Sequence, residues 1–312
     1  MGAQLRVLRR RIRSVQSTKK ITKAMELIAA SRIVKAQARM KAARPYADEL
    51  TRALAALGRN ATLKHPMLTG VDNPRRAGIL VITSDRGLAG GYNANALRLA
   101  NELSSRLEGE GKQVVRYVIG RKGVGYYNFR RIPLAGSWTG FSEQPSFADA
   151  RPATETVVSA LVATSAGETD AGEPGIDELH VIYTRFVNTV SQTPTAVLVS
   201  PVKGVVDEAA EDQPAQEGPQ AQYEFEPEPE ELIASLMPRY ISARIFSALL
   251  ESAASESAAR RRAMKSASDN ATELIRTFTR LANQARQAEI TQEISEIVGG
   301  ADALASAGSD ER

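Results

Sequence analysis

Few residues in this 312-residue chain are equipped for covalent chemistry, and their spacing argues against most of it. There is no cysteine, which removes thiolate nucleophiles, disulfides and zinc–thiolate frameworks together. The two histidines, His65 and His180, have no second ligand at metal spacing, and His180 falls in the run DELHVIY, where a sheet position is expected. No serine stands in a context that marks it as a nucleophile activated by either histidine. One feature could cradle a phosphate: Gly87-Leu88-Ala89-Gly90-Gly91 lies between a strand-like and a helical run, where backbone N–H groups can approach an anion. Its spacing fits neither GxGxxG nor GxxxxGKS/T, so a tight turn permitted by glycine is the expectation. Asp85, beside Arg86, is expected in local hydrogen bonding of an exposed loop. Neither catalysis by this chain alone nor a bound metal or cofactor is expected.

Binding is better supplied. From Met1 to Arg44 there are thirteen Lys and Arg against one acid, Glu26. Like charges at that density on one helix repel unless something acidic lies nearby, so a polyanionic partner is implied: nucleic acid, anionic lipid or an acidic protein surface. From Asp207 to Glu231 the balance reverses, with ten acids, no basic residue and four interleaved prolines, which reads as an extended connector. Leu232 to Arg312 balances at ten and ten.

The elements that hold these charges follow from periodicity. Leu5, Leu8, Ile12 and Val15, then Ile21, Met25 and Ile28, then Ala36, Met40, Ala43, Ala47, Leu50, Leu54 and Leu57 step by three and four within each group, the seam of a coiled coil. Steps of six and eight separate the groups, which predicts a seam that drifts around the helix. Pro45 is expected to kink or locally break it. Met264, Ala267, Ala271, Leu274, Phe278, Leu281, Ala285 and Ala288 form a second series, resumed by Ile290, Ile294, Ile297, Ala301 and Leu304 with a shift in phase; all of it is expected to pair with the first helix. A helix from about Leu232 to Val298 would be on the order of 100 Å long.

Between the ends, AGILVIT (77–83) and VVRYVI (114–119) read as buried strands, Ala94–Leu107 and Thr154–Ala166 as helices, and Glu178–Tyr183 and Ala196–Val199 as further strands, predicting a small parallel α/β sheet. Ser165–Asp177 reads as an exposed flexible loop. No apolar run approaches the roughly 18–20 residues that span a bilayer, and the start lacks the apolar stretch of a secretory signal. A cytosolic-side protein that meets a membrane only through partners is expected.

Three separated segments carry a family resemblance. IRSVQ (12–16) with TKKITKAME (18–26) and AASR (29–32), TSDRGLAGG (83–91), and RQAEITQEI (286–294) with EIV (296–298) resemble the gamma subunit of the F-type ATP synthase, in order and at both ends of the chain. The resemblance implies α/β plus long helices: an antiparallel coiled coil of the terminal helices with a central Rossmann-like domain. The corresponding divisions are 1–60, the N-terminal coiled-coil helix; 75–206, the α/β domain; 207–231, the acidic connector; and 232–312, the C-terminal coiled-coil helix. It further implies a non-catalytic rotor, one per complex, inside a hexamer of alpha and beta subunits and standing on the epsilon subunit and the membrane c-ring, on the cytoplasmic side of the cell membrane. Proton flow would turn it, and ATP would form in beta. By the same resemblance Met25, Arg286, Gln287, Thr291 and Glu296 face beta, and Tyr223 and Glu226 lie near epsilon and the c-ring.

Two features depart from the general pattern. Ala89 stands where many members have Cys, so the thiol switch of the plastid branch is impossible here. Ser165–Asp177 resembles an extra loop of actinobacterial members. A basic coiled coil that binds nucleic acid would explain the N-terminal charge but not the balanced C-terminal rod or the α/β domain; a nucleotide-binding enzyme would require ATP to bind the isolated chain.

Overall fold

A computed structural model describes residues 2–60, 65–169, 172–202 and 229–309. The chain runs α1 (Gly2–Asn60), α2 (Pro66–Thr69), β1 (Arg76–Ile82), α3 (Tyr92–Gly109), β2 (Gln113–Ile119), α4 (Arg121–Phe129), β3 (Gly136–Trp138), α5 (Phe147–Ala163), β4 (Glu178–Phe186), β5 (Gln192–Ser200) and α6 (Pro229–Ser309). Of the expected connector 207–231, only the last three residues are described, and they already belong to α6. The chain divides into two compact units, Met1–Ile28 with Arg262–Arg312 and Ala29–Arg261.

In the smaller unit the two helices pair antiparallel: Thr22 Oγ1 and Ser268 Oγ share a buried 2.7 Å hydrogen bond, and the Arg11 guanidinium lies 6.0 Å from the Phe278 ring centre. The seam of α1 differs from the apolar reading. Leu5, Leu8, Ile12, Val15, Lys19, Thr22, Glu26, Ala29, Ile33, Ala36, Met40, Ala43, Ala47, Leu50, Leu54 and Leu57 are all buried or half-buried, in unbroken steps of three and four. Ile21 and Ile28, assigned to the seam by hydropathy, are 59% and 53% exposed. The expected drift is absent because polar residues fill three consecutive seam positions, and Thr22 is made tolerable there by its hydroxyl partner. A one-residue correction applies to α6, where Ser268, Ile275 and Ala282 face inward and Leu274 and Leu281 are exposed. Beyond Glu289, residues 290–299 and Ala301 are all exposed, so the expected pairing of Ile290, Ile294 and Ile297 with α1 does not occur. At Pro45, α1 is unbroken and the ring sits on the exposed face.

The larger unit is built on a five-stranded sheet of order β3-β2-β1-β4-β5. β1 is central and parallel to both neighbours, with Leu80 opposite Tyr117 and Val181. Its residues alternate between two cores, as the period of two requires. Ala77, Ile79 and Val81 meet Leu97, Ala100 and Leu103 of α3 and Tyr127 of α4. Leu80 and Ile82 join the opposite cluster with Val157 and Leu161 of α5, Leu50, Leu54 and Leu57 of α1, and Ile233, Met237, Tyr240 and Ile241 of α6.

β5 is antiparallel to β4, so the sheet is mixed rather than parallel. The connection of residues 187–191 is a hairpin in which Asn188 Oδ1 accepts from Val190 N and Ser191 N, far too short for a crossover. α5 starts at Phe147, ahead of the expected Thr154, because Ser146 and Asp149 form a reciprocal capping box. The ends of the 165–177 segment are tethered: Asp177 Oδ1 accepts from Ser165 N, and Oδ2 from Arg75 N and Arg76 N.

Candidate functional site

An open α/β sheet binds ligands at the carboxyl ends of its strands, at the crevice where strand order reverses. Here that crevice lies between β1 and β4, and α6 fills it. Ser255 Oγ donates to Thr184 O, Ser252 Oγ accepts from Thr184 N, and the Glu251 carboxylate accepts from Phe186 N. From Ser252 to Arg260 nine consecutive residues are buried, so the helix is enclosed on every side. Small side chains make this possible: Ser252, Ala253, Ala254, Ser255, Ser257, Ala258 and Ala259 let the sheet, the loops and α1 approach the α6 backbone closely.

The glycine loop after β1 belongs to this enclosure. Leu88 and Gly90 take left-handed conformations, φ 62° and 58°, which turn the chain sharply. Its carbonyls point at α6: Arg260 Nη2 donates to Arg86 O and Gly87 O at 3.3 Å each, and Arg260 Nε to Gly87 O. A phosphate needs N–H donors converging on it, and this loop offers oxygen atoms already occupied by a guanidinium. The turn reading of the glycines is therefore the one the geometry supports.

Asp85 is not the exposed loop residue expected from its neighbours. Its side chain is 8% exposed and accepts from Arg121 N and Ser142 N, not from Arg86. Burial alone would raise its pKa, but the hydrogen bonds from Ser142, Gly140 and Arg121 outweigh it and hold the carboxyl below the ordinary range. Asp85 N in turn donates to Ser142 Oγ, locking the loop before α5 to the loop after β1.

A charged cluster that periodicity did not reveal sits against the enclosure. Glu143 carries ion pairs from three elements: Arg32 of α1, Arg86 at 3.6 Å and Arg260 of α6 at 3.2 Å. Arg260 also pairs with Glu256 at 2.6 Å. Burial pushes the Glu256 carboxyl up, opposed by Arg260. The only local signal was an acid and a base four apart, Glu256 and Arg260, inside an otherwise small-residue stretch; Arg32 and Glu143 are too distant in sequence to be linked by spacing.

His180 is a buried β4 residue 3.5 Å from the Glu178 carboxylate, and His65 bonds its own turn through Met67 N; neither meets a serine nucleophile. Among the described residues no group of three His, Asp or Glu is placed to hold a metal ion.

The residues expected to face partners are dispersed along the helices. Met25 is half-buried in the paired unit, beside the seam residue Glu26, which pairs with Lys23 at 3.0 Å. Arg286, Gln287, Thr291 and Glu296 are exposed. Thr291 Oγ1 donates to Gln287 O and Gln292 Nε2 to Glu296, while Arg286 forms no ion pair with Glu289. Gln287 ends a shallow groove lined also by Arg276, Thr279, Arg280 and Asn283. Tyr223 and Glu226 lie outside the described residues.

The family model described as ATP synthase matches residues 4–304. The "ATP synthase gamma chain" of Saccharopolyspora erythraea is 55% identical over 99% of this chain and 100% of its own length, and that of Streptomyces coelicolor is 54% identical with the same coverage. The corresponding chain of Frankia casuarinae is 56% identical over 98% of this chain and 99% of its own. Among solved structures, a chain of the Euglena gracilis mitochondrial ATP synthase, in an assembly of OSCP, F1 and c-ring, aligns with TM-score 0.67 at 18% identity, covering 97% of this chain and 95% of that one. A chain of the Tetrahymena thermophila central stalk and c-ring aligns at TM-score 0.55 and 23% identity, over 80% and 99%. These two likenesses speak to the fold.

Proposed function

The chain belongs to the ATP synthase gamma-chain family, and on that footing we propose that it is the central-stalk rotor of an F-type ATP synthase, itself non-catalytic, that couples proton flow to ATP synthesis at beta subunits. The observation that carries the reading is an apolar surface this chain does not cover: Ile290, Ile294, Ile297 and Val298 on α6, and Val7, Ile21 and Ile28 on α1, are each 44% exposed or more. Large apolar residues left exposed on both helices, those of α6 beyond its pairing with α1, fit a surface that a partner covers. A surrounding sleeve of alpha and beta subunits fits it, and the basic N-terminal helix fits acidic beta loops. Met25, Arg286, Gln287, Thr291 and Glu296 are the proposed contacts to beta, and Tyr223 and Glu226 those to epsilon and the c-ring.

The filled crevice at β1 and β4 leaves the α/β domain a scaffold rather than a nucleotide site. Among the described residues no helix is long and apolar enough to cross a membrane, which accords with peripheral attachment through the c-ring, proposed on the cytoplasmic face. Reassembly tests the proposal. Alpha and beta subunits mixed with this chain should yield a complex with one copy of it and steady ATP hydrolysis, and ATP should not bind the isolated chain. Failure to assemble, or ATP binding by the chain alone, would overturn it.

A further inference from the structure

We propose that Glu143 is the positioning residue that fastens the α/β domain to the stretches of both long helices that pack in the larger unit, a charge latch that holds Arg32 of α1 and Arg260 of α6 to the sheet. The latch rests on the stalk reading for its purpose but on geometry for its existence. The Glu143 side chain is 13% exposed and receives Arg32 from α1 and Arg260 from α6, whose side chains are 25% and 6% exposed. Arg86, at 71%, completes the trio from the loop after β1. No other carboxylate among the described residues has ion pairs with three different elements.

The loop that carries Glu143 is fixed to the sheet independently. Ser142 N donates to Asp85 Oδ2 and Ser142 Oγ accepts from Asp85 N, while three residues beyond Glu143 the capping box anchors α5. Glu143 therefore projects from a rigid seat, and what it holds is held relative to the sheet. Arg260 meets Glu143 through Nη1, which makes no hydrogen bond, so that contact is an ion pair; its other contacts are to neutral carbonyls or within its own helix. Its bonds to Arg86 O and Gly87 O are 3.3–3.4 Å, and its 2.6 Å partner Glu256 lies on the same helix, so that pair cannot tie α6 to the domain. The small side chains from Ser252 to Ala259 fill space but offer little interlocking relief against rotation. A desolvated ion cluster resists sliding in a way that alanine packing does not, because displacement leaves charges buried and unpaired. Without Glu143, Arg32 would lose its ion pair and Arg260 would keep only Glu256 of its own helix.

The test uses the full chain and the reassembled complex. Glu143→Gln keeps the shape and removes the charge; Glu143→Asp keeps the charge on a shorter stem. In the isolated chain, hydrogen exchange at residues 84–91 and 141–146 should quicken at least tenfold in Glu143→Gln, with β4 unchanged, and return most of the way in Glu143→Asp. In the complex, proton pumping per ATP hydrolysed should fall at least twofold in Glu143→Gln and recover in Glu143→Asp. Exchange within twofold of the parent, or pumping per ATP unchanged while exchange rises, would overturn the latch. If Glu143→Gln does not fold, Arg32→Gln, at a half-buried position, is read by the same two measurements and decides the matter in the same way. A parent complex that does not pump at all would refute the stalk reading, and the exchange arm would still decide whether Glu143 is a latch.

Discussion

Replacing Thr22 by Val is the most direct way to ask whether α1 and α6 are held in register by a polar pair or by their apolar neighbours. The Thr22 hydroxyl is 2.7 Å from that of Ser268 and 3.1 Å from the Lys19 carbonyl, and the residues are 8% and 5% exposed. Valine keeps the shape of threonine and removes the oxygen, which leaves the Ser268 hydroxyl buried opposite a methyl group. A buried group left without its partner costs about 1–3 kcal/mol, whereas removing both partners is nearly neutral. Ser268 has one escape, a bond back to a carbonyl of its own helix, which moves the expected cost toward the lower end. The single variants Thr22→Val and Ser268→Ala should each destabilise the pair by about 1–2 kcal/mol, and the double variant by less than their sum.

Because helix pairs open locally, hydrogen exchange in α1 around residue 22 is the appropriate assay. At tenfold per 1.4 kcal/mol the single variants should quicken exchange by about fivefold to thirtyfold. The double variant should lie closer to the parent than either single one. Additive effects would show that the two hydroxyls do not depend on each other and that register comes from the flanking apolar residues.

Truncation after Glu289 should leave exchange throughout α1 within twofold, since residues 290–299 are exposed and cover nothing on it; loosening of α1 would refute the seam described here. Burial by itself raises the Asp177 pKa, but the N–H donors of Ser165, Arg75 and Arg76 outweigh burial and lower it, so its contribution is fully present above the unfolded value of about 3.9 and is lost as pH falls through the folded one. Protection of Ser165 N should accordingly be equal at pH 5 and 7 and decline only in more acid solution, and Asp177→Asn should remove it at every pH; a loss between pH 5 and 7 would contradict the assignment. Arg286→Ala with Gln287→Ala alters only exposed side chains and should shift melting by no more than about two degrees, while turnover of a reassembled complex falls more than tenfold; full turnover would return both to ordinary helix surface.

The long helices, the strands β1, β2 and β4, and the family itself could be read in sequence because each depends on local pattern or on motifs that persist along the chain. Where that reading erred, the cause was an interaction between residues far apart. Hydropathy placed Ile21 in the seam and passed over Thr22, since nothing near Thr22 discloses that Ser268 will satisfy its hydroxyl. The expected parallel sheet is mixed because strand pattern is the same in either direction, and the direction of β5 is set by the short hairpin before it. For Asp85 the sequence predicts only local hydrogen bonding in an exposed loop, whereas its side chain is buried and the donors that hold it come from Arg121 and Ser142. The enclosure of residues 252–260 and the meeting of Arg32, Arg86 and Arg260 on Glu143 left almost no trace in sequence. Periodicity reports which face of an element is apolar; which polar group meets which depends on how separate elements are brought together, and only the folded chain decides that.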